Sequence, residues 1–294
     1  MVLRGPPAER SPAELLKFGV INLDKPPGPS AHQVAAWVRE LAGVKRAAHA
    51  GTLDPKVTGC LPMLLGDATR MAQVFDDSEK EYVAVLELHD RGRTDDLERV
   101  AADFEGEIYQ KPPKKSAVVR RLRTREIHEL DVLEVEDRQA LLRVRCESGT
   151  YIRKLCHDLG LALGTGAHMG DLRRVGTDPF DDRDLATLHD FVDALSWWRE
   201  DDDPEALEDV VQPAEHALVD VPSVIIAESA AESVAEGAPV YAPGVVDADE
   251  GLDPDAEPLV TCYTPNGAAV CLGRLIEDPA VEEGTVVDLE RVLV

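Results

Sequence analysis

The sequence predicts an α/β (α+β) protein. A mixed sheet rich in antiparallel pairs falls within residues 1–200, and a small β-barrel-like module within residues 201–294. Three observations carry this. Segments with a helical period stand beside strictly alternating ones without a repeating βα unit. The last third is a run of short apolar segments between turn residues. Charge is shared unevenly, because residues 200–294 hold 24 acidic and two basic side chains while residues 1–199 hold 33 and 29.

The elements follow in order. GVINL (19–23) is a short apolar run, and AHQVAAWVRELAG (31–43) has helical spacing and a glycine stop. LPMLLGDATRMAQVF (61–75) is expected to be helical, and EYVAVLEL (81–88) alternates as a strand. The prolines of QKPPKKSAVVRRLRTR (110–125) make it a loop, followed by strands at DVLEVE (131–136) and ALLRVRCES (140–148). Helices are expected at YIRKLCHDLGLALG (151–164) and HDFVDALSWW (189–198). REDDDPEALEDVVQP (199–213) has the composition of an exposed acidic junction, and the boundary is placed there. The tail reads as strands SVIIA, APVYAPGVV, LVTCYT, GAAVCLGRL and GTVVDLERVLV.

Composition excludes several classes. A net charge of −26 with 44% hydrophobic residues describes a folded, acid-coated protein, not a disordered acidic chain. Only nine basic residues are lysine, a surface suited to a salt-loving host. The five cysteines (Cys60, Cys146, Cys156, Cys262, Cys271) are odd in number and lack CxxC spacing, so neither a disulfide framework nor a zinc site is indicated. No apolar run approaches about 18 residues, and the N-terminus lacks a signal-like core, which predicts a cytoplasmic, reduced protein without membrane contact.

In HAGTLDPKVTGCLP (49–62) a single acid, Asp54, stands among Gly51, Thr52, Pro55, Thr58 and Gly59. Pro55 biases Asp54 toward extended geometry, and the glycines permit a tight exposed loop. Spacing alone leaves open an Asp-Pro turn that caps the next element. The loop 110–125 carries seven cations and no acid: Lys111, Lys114, Lys115, Arg120, Arg121, Arg123 and Arg125. Such runs are often solvated faces, but concentration of charge in an acidic chain favours phosphate contact.

HAGTLDPKVTGCLP resembles the signature of the TruB and dyskerin family of pseudouridine synthases. INLDKPPGPSAHQV (21–34), KEYVAVLEL (80–88), GTYIRKL (149–155) and GAHMGDLRR (166–174) resemble four further family motifs in the same order. KVTGCLP, the basic loop and GAHMGDLRR resemble the archaeal and eukaryotic dyskerin type, and EGAPVYAPGVV (236–246) with NGAAVCLGRL (266–275) resembles its PUA domain. On this resemblance only the first dozen residues and the acidic junction lie outside the likeness.

The resemblance implies the pseudouridine synthase fold and isomerisation of uridine to pseudouridine in RNA, with no cofactor and no metal. It makes Asp54 the catalytic carboxylate, held charged and aimed by Arg153, with Tyr82 stacking on uracil and moving a proton. Leu172 would line the pocket. Lys25 is grouped with the substrate-binding residues, although its expected work, with Pro26, is to buttress the loop. His49 would hold the flipped-out base, and the seven cations of 110–125 would clamp the RNA. The implied substrates are uridine 55 of tRNA, or rRNA uridines presented by box H/ACA guide RNA. The guided route brings two small core proteins, one zinc-binding, and a kink-turn-binding ribosomal-type protein. A tail of net −22 is an unusual RNA-binding module. Two rivals stand beside this reading: a noncatalytic scaffold, which has no need of Asp54, Tyr82 and Arg153 together, and a carboxylate-dependent hydrolase, which wants a second carboxylate or metal ligands.

Overall fold

The computed structural model describes residues 3–90, 96–112, 119 and 121–294. The first body contains α1 (Pro12–Lys17), β1 (Gly19–Lys25), α2 (Ala31–Ala42), β2 (Ala47–His49), β3 (Thr58–Leu65) and β4 (Lys80–Leu88). It continues with α3 (Leu97–Ala102), β5 (Gly106–Gln110), β6 (Arg123–Glu136), β7 (Gln139–Cys146), α4 (Ile152–Leu163) and β8 (Ala167–Thr177). The short β9 (Phe180–Asp181), then α5 (Leu188–Asp201), α6 (Glu205–Val210) and β10 (Gln212–Pro213), complete it. The sheet order is β10-β1-β3-β8-β4-β7-β6-β5, with β2 beside β3 and β9 beside β8.

Side-chain pattern explains these assignments. In β4 every second residue from Lys80 to Leu88 is buried, so alternation places one face on the core. Helix α2 opens with a reciprocal Ser30–Gln33 capping box. Residues 61–75 depart from the helical expectation. Leu61–Leu65 belong to β3, whose residues from Gly59 onward are all buried, and Gly66–Phe75 form a 3-10 segment. A strand covered on both faces reads as a continuous apolar run, which periodicity cannot separate from a buried helix.

The small sheet comprises β11 (Ser223–Ile226), β12 (Val240–Tyr241), β13 (Val245–Ala248), β14 (Leu259–Tyr263), β15 (Ala269–Leu275) and β16 (Thr285–Val292). Its order, β12-β16-β15-β14-β11-β13, curls it into a nearly closed barrel-like form, with helix α7 (Glu228–Ala235) packed against it.

The acidic stretch after residue 200 does more than join the two bodies. Leu207 and Val211 are buried in the main core, and β10 pairs with β1 through Gly19↔Pro213. Arg10 donates two 2.7 Å hydrogen bonds to Glu215, whose Oε1 also accepts from Ala269 N of β15 at 3.0 Å. A separate apolar cluster joins Phe18, Val20, Leu64 and Met71 of the first body to Ala269, Leu272 and Leu293 of the second.

Candidate active site

The 49–62 motif forms the end of β2, an irregular turn and the beginning of β3. Lys25, fully buried, donates to the carbonyls of Pro26, Pro55 and Val57 at 2.9, 3.0 and 2.8 Å. Gly28 N donates to Pro55 O at 2.8 Å, and Val57 N to Asp54 O at 3.0 Å. The turn is therefore held from within by an ammonium whose three donors are all used. This corrects the grouping of Lys25 with substrate-binding residues: its side chain is a buttress and does not reach the surface.

Two further buried cations lie behind the turn. Arg174 of β8, 1% exposed, donates from Nε to Cys60 O at 2.7 Å and from Nη2 to Ala50 O at 3.1 Å, tying together the two stems of the turn. Gly59 makes this fit possible. At φ +97°, a Cβ there would stand 2.1 Å from Arg174 O. Lys80 donates to Phe75 O and Ser78 O at 3.0 and 2.6 Å, and burial lowers its pKa to about 8. All three cations take carbonyls as hydrogen-bond partners, which leaves the floor of the site electropositive. Sequence reading missed Arg174 and Lys80 although both sit inside quoted motifs, because nothing local distinguishes a buried cation from a surface one.

Asp54, on the same turn, meets Arg153. Arg153 Nη2 pairs with Asp54 Oδ2, and both side chains are about half exposed, at 44% and 52%. Arg153 occupies the first turn of α4, where no acid is present and where the helix dipole disfavours a cation. A locally unfavourable placement that brings two positive ends to one carboxylate fits a functional constraint. Gln110 fixes this helix end: Tyr151 N donates to its Oε1 at 2.9 Å and its Nε2 donates to Tyr151 O at 3.2 Å.

Tyr82 and Leu172 supply the apolar wall. In the β4/β8 ladder Tyr82 faces Arg174 and Ala84 faces Leu172, so the four share one side of the sheet. Both Tyr82 and Leu172 are 8% exposed. Burial raises the Tyr82 pKa, and nearby Arg174 offsets only part of this, so the phenol keeps its proton at neutral pH. His49 lies edge-on to His32, with ring centroids 4.7 Å apart. Burial first, then His32 and Arg174, lower its pKa, which holds the imidazole neutral.

The basic loop is only partly described. Lys114, Lys115 and Arg120 lie outside the described residues, whereas Lys111 and Arg121 are exposed. Arg123 and Arg125 belong to β6, not to a loop. Arg125 is engaged with Glu147 at 3.1 Å, so much of its charge is already compensated. Among the described residues no group of His, Cys, Asp and Glu is arranged to hold a metal, and no helix is long and apolar enough to cross a membrane.

Comparison with known proteins gives concordant findings. The family model described as TruB family pseudouridylate synthase (N terminal domain) matches residues 39–152, and tRNA pseudouridylate synthase B C-terminal domain matches 153–219. A DKCLD domain matches 5–35 and a PUA domain 222–293. The first dozen residues and the acidic junction thus fall largely inside matched domains, contrary to expectation. The chain is 64% identical to the probable tRNA pseudouridine synthase B of Halobacterium salinarum, covering 100% of both. It is 47% identical to that of Methanopyrus kandleri, over 98% of this chain and 86% of the relative. Among solved structures, a Cbf5-Nop10-Gar1 complex gives a TM-score of 0.93 at 44% identity, covering 99% of this chain and 90% of that one. An H/ACA RNP bound to a substrate RNA containing 2'-deoxyuridine gives 0.92 at 42% identity, with the same coverage.

Proposed function

We propose, from the premise that the chain belongs to the TruB family of pseudouridylate synthases in its Cbf5-like form, that it isomerises uridine to pseudouridine in RNA using Asp54, Tyr82 and Arg153. Its substrates are uridine 55 of tRNA and, as catalytic subunit of an H/ACA particle with Nop10- and Gar1-like core proteins and a kink-turn-binding protein, guided rRNA uridines.

The observation that supports this reading is the Asp54–Arg153 pair, on a turn whose stems are tied by Arg174, the cross-strand partner of Tyr82. The reaction breaks the C1′–N1 bond and forms C1′–C5; the C5 hydrogen leaves as a proton and N1 gains one. Atoms and electrons balance without a co-reactant. Asp54 is the group that attacks sugar or base or that begins elimination, and Arg153 keeps it charged and aimed. Tyr82, protonated in its buried position, stacks on uracil and donates or returns the proton. The target base must leave its helix, at a cost of a few kcal/mol of unstacking. Neutral His49 and the cations of 110–125 hold the opened RNA.

The test is release of tritium from C5-labelled uridine in a tRNA transcript, in molar potassium chloride. Release by the wild type and none by Asp54→Asn is expected. Equal release by both would refute the assignment of Asp54. Release only after guide RNA and core proteins are added would restrict the activity to the particle.

A further inference from the structure

Arg153 stands in the first turn of α4, and its hold on Asp54 depends on where that helix begins. The pair itself cannot fix the helix end. Both side chains are about half exposed, and an ion pair in that setting contributes only about 0–1 kcal/mol. Nor does the helix cap itself, because Tyr151 at the N-cap makes no side-chain bond to the first turn and that turn holds no acid. The geometry must come from another part of the chain.

Gln110 supplies it from 41 residues away. It ends β5, where the chain leaves for the basic loop, yet it is only 2% exposed. Its amide holds the backbone of one residue at both ends: Oε1 accepts from Tyr151 N at 2.9 Å and Nε2 donates to Tyr151 O at 3.2 Å. Tyr151 O is also where the helix starts, since it accepts from Leu155 N at 3.0 Å. An apolar side chain would fill this space at a lower desolvation cost, so a buried amide here is explained by its two bonds. The stretch before Tyr151 is held as well. Arg125 of β6 donates to Glu147 Oε1 at 3.1 Å and lies against Gly149, where a Cβ would stand 3.2 Å from its Nη2. Glu126 N donates to Glu147 Oε2 at 3.1 Å, and Glu147 N to Glu126 O at 2.9 Å. Residues 147–151 are thus clamped between the end of β5 and the start of β6, which pair through Gln110↔Arg123.

We propose that Gln110 is a positioning residue for the isomerisation, its amide setting the start of α4 so that the Arg153 guanidinium meets Asp54 in the productive orientation. This rests on the reading of the chain as an RNA pseudouridine synthase that uses that pair. A displacement of a catalytic group by about 1 Å can cost on the order of 10²-fold in rate, whereas a buried amide bonded to backbone has no free group for RNA. The donor and acceptor pattern is specific. Methionine has the length without the bonds, and glutamate has the pattern only while protonated, when its O–H replaces the amide N–H. Ionised, it turns an acceptor toward Tyr151 O. Burial raises such a carboxyl above its usual value of about 4.3, so the variant changes from matched to mismatched as pH rises toward neutrality.

The test compares wild type, Gln110→Met and Gln110→Glu. Single-turnover tritium release from a C5-labelled tRNA transcript is followed at saturating RNA from about pH 5.5 to about pH 8.5, with Kd and a thermal melt at each pH. Gln110→Met is expected to lose about 10- to 100-fold in rate, with Kd within about two-fold of wild type. Gln110→Glu is expected to approach the wild-type rate at the acid end and to fall toward that of Gln110→Met as pH rises. A folded Gln110→Met that releases tritium at the wild-type rate would overturn the proposal while leaving the enzyme's function standing. A rate ratio of Gln110→Glu to wild type that stays constant across pH would do the same, and it decides the matter if Gln110→Met does not fold. A loss confined to Kd would overturn it in favour of an RNA contact. A wild type that modifies no RNA, alone or with guide RNA and core proteins, would remove both this role and the function it serves.

Discussion

Removal of one partner from the Arg10–Glu215 pair should be among the most damaging single changes outside the active site. The side chains are 2% and 9% exposed, joined by two 2.7 Å bonds, and Glu215 also holds Ala269 N. Glu215→Leu strands a buried guanidinium and a backbone N–H, which costs about 3–5 kcal/mol. At ~2.1 cal/mol/K per residue, the 294-residue chain has an unfolding entropy near 0.6 kcal/mol/K, so Tm should fall by roughly 5–8 °C. Arg10→Met should cost a similar amount, since it strands the carboxylate instead. The double variant Arg10→Met/Glu215→Leu should be more stable than either single one, because no charge is left unpaired. Thermal melts followed by circular dichroism at fixed salt measure all four proteins. A single-variant shift below about 2 °C, or a double variant whose loss equals the sum of the singles, would refute the reasoning.

Other outcomes follow from the site. Arg153→Lys keeps the charge but loses the planar fork, so single-turnover tritium release should fall about 100-fold with RNA affinity little changed. Gly59→Ala should lose at least about 3 kcal/mol and most activity, since its Cβ would meet Arg174 O at 2.1 Å at a φ of +97°; a wild-type melt would contradict the packing described. Lys80 titrates at about 8 when folded and at 10.5 when free, so between those values the unfolded chain binds more protons and its contribution to stability rises with pH. Denaturant unfolding of the wild type over that range should therefore show a rising component that Lys80→Met lacks. Identical pH slopes would disprove it.

What was legible in the sequence depended on whether the physics was local. The alternation of β4, the capped period of α2 and the GTLDP turn are local patterns, and each stands where reading placed it. Residues 61–65 misled because burial on both faces erases period, and α6 was missed because Leu207 and Val211 are isolated apolar positions in an acidic stretch. The pairing of Asp54 with Arg153 joins two segments that the motifs single out. Arg174 was not legible, since its partners, Ala50 O and Cys60 O, are backbone atoms more than a hundred residues away that no side-chain pattern announces. Gln110 escaped for the same reason.

The apolar cluster shared by the two bodies has a consequence for biosynthesis. Phe18 and Val20 leave the ribosome early, but the residues that cover them include Leu272 and Leu293. Until those are made, the nascent chain carries an unsealed apolar wall that the first body cannot close by itself, and this step of assembly must wait for the strands of the second body. A coat of like charge is then useful before folding ends as well as after it. It keeps neighbouring unfinished chains apart while each waits for the strands of its second body.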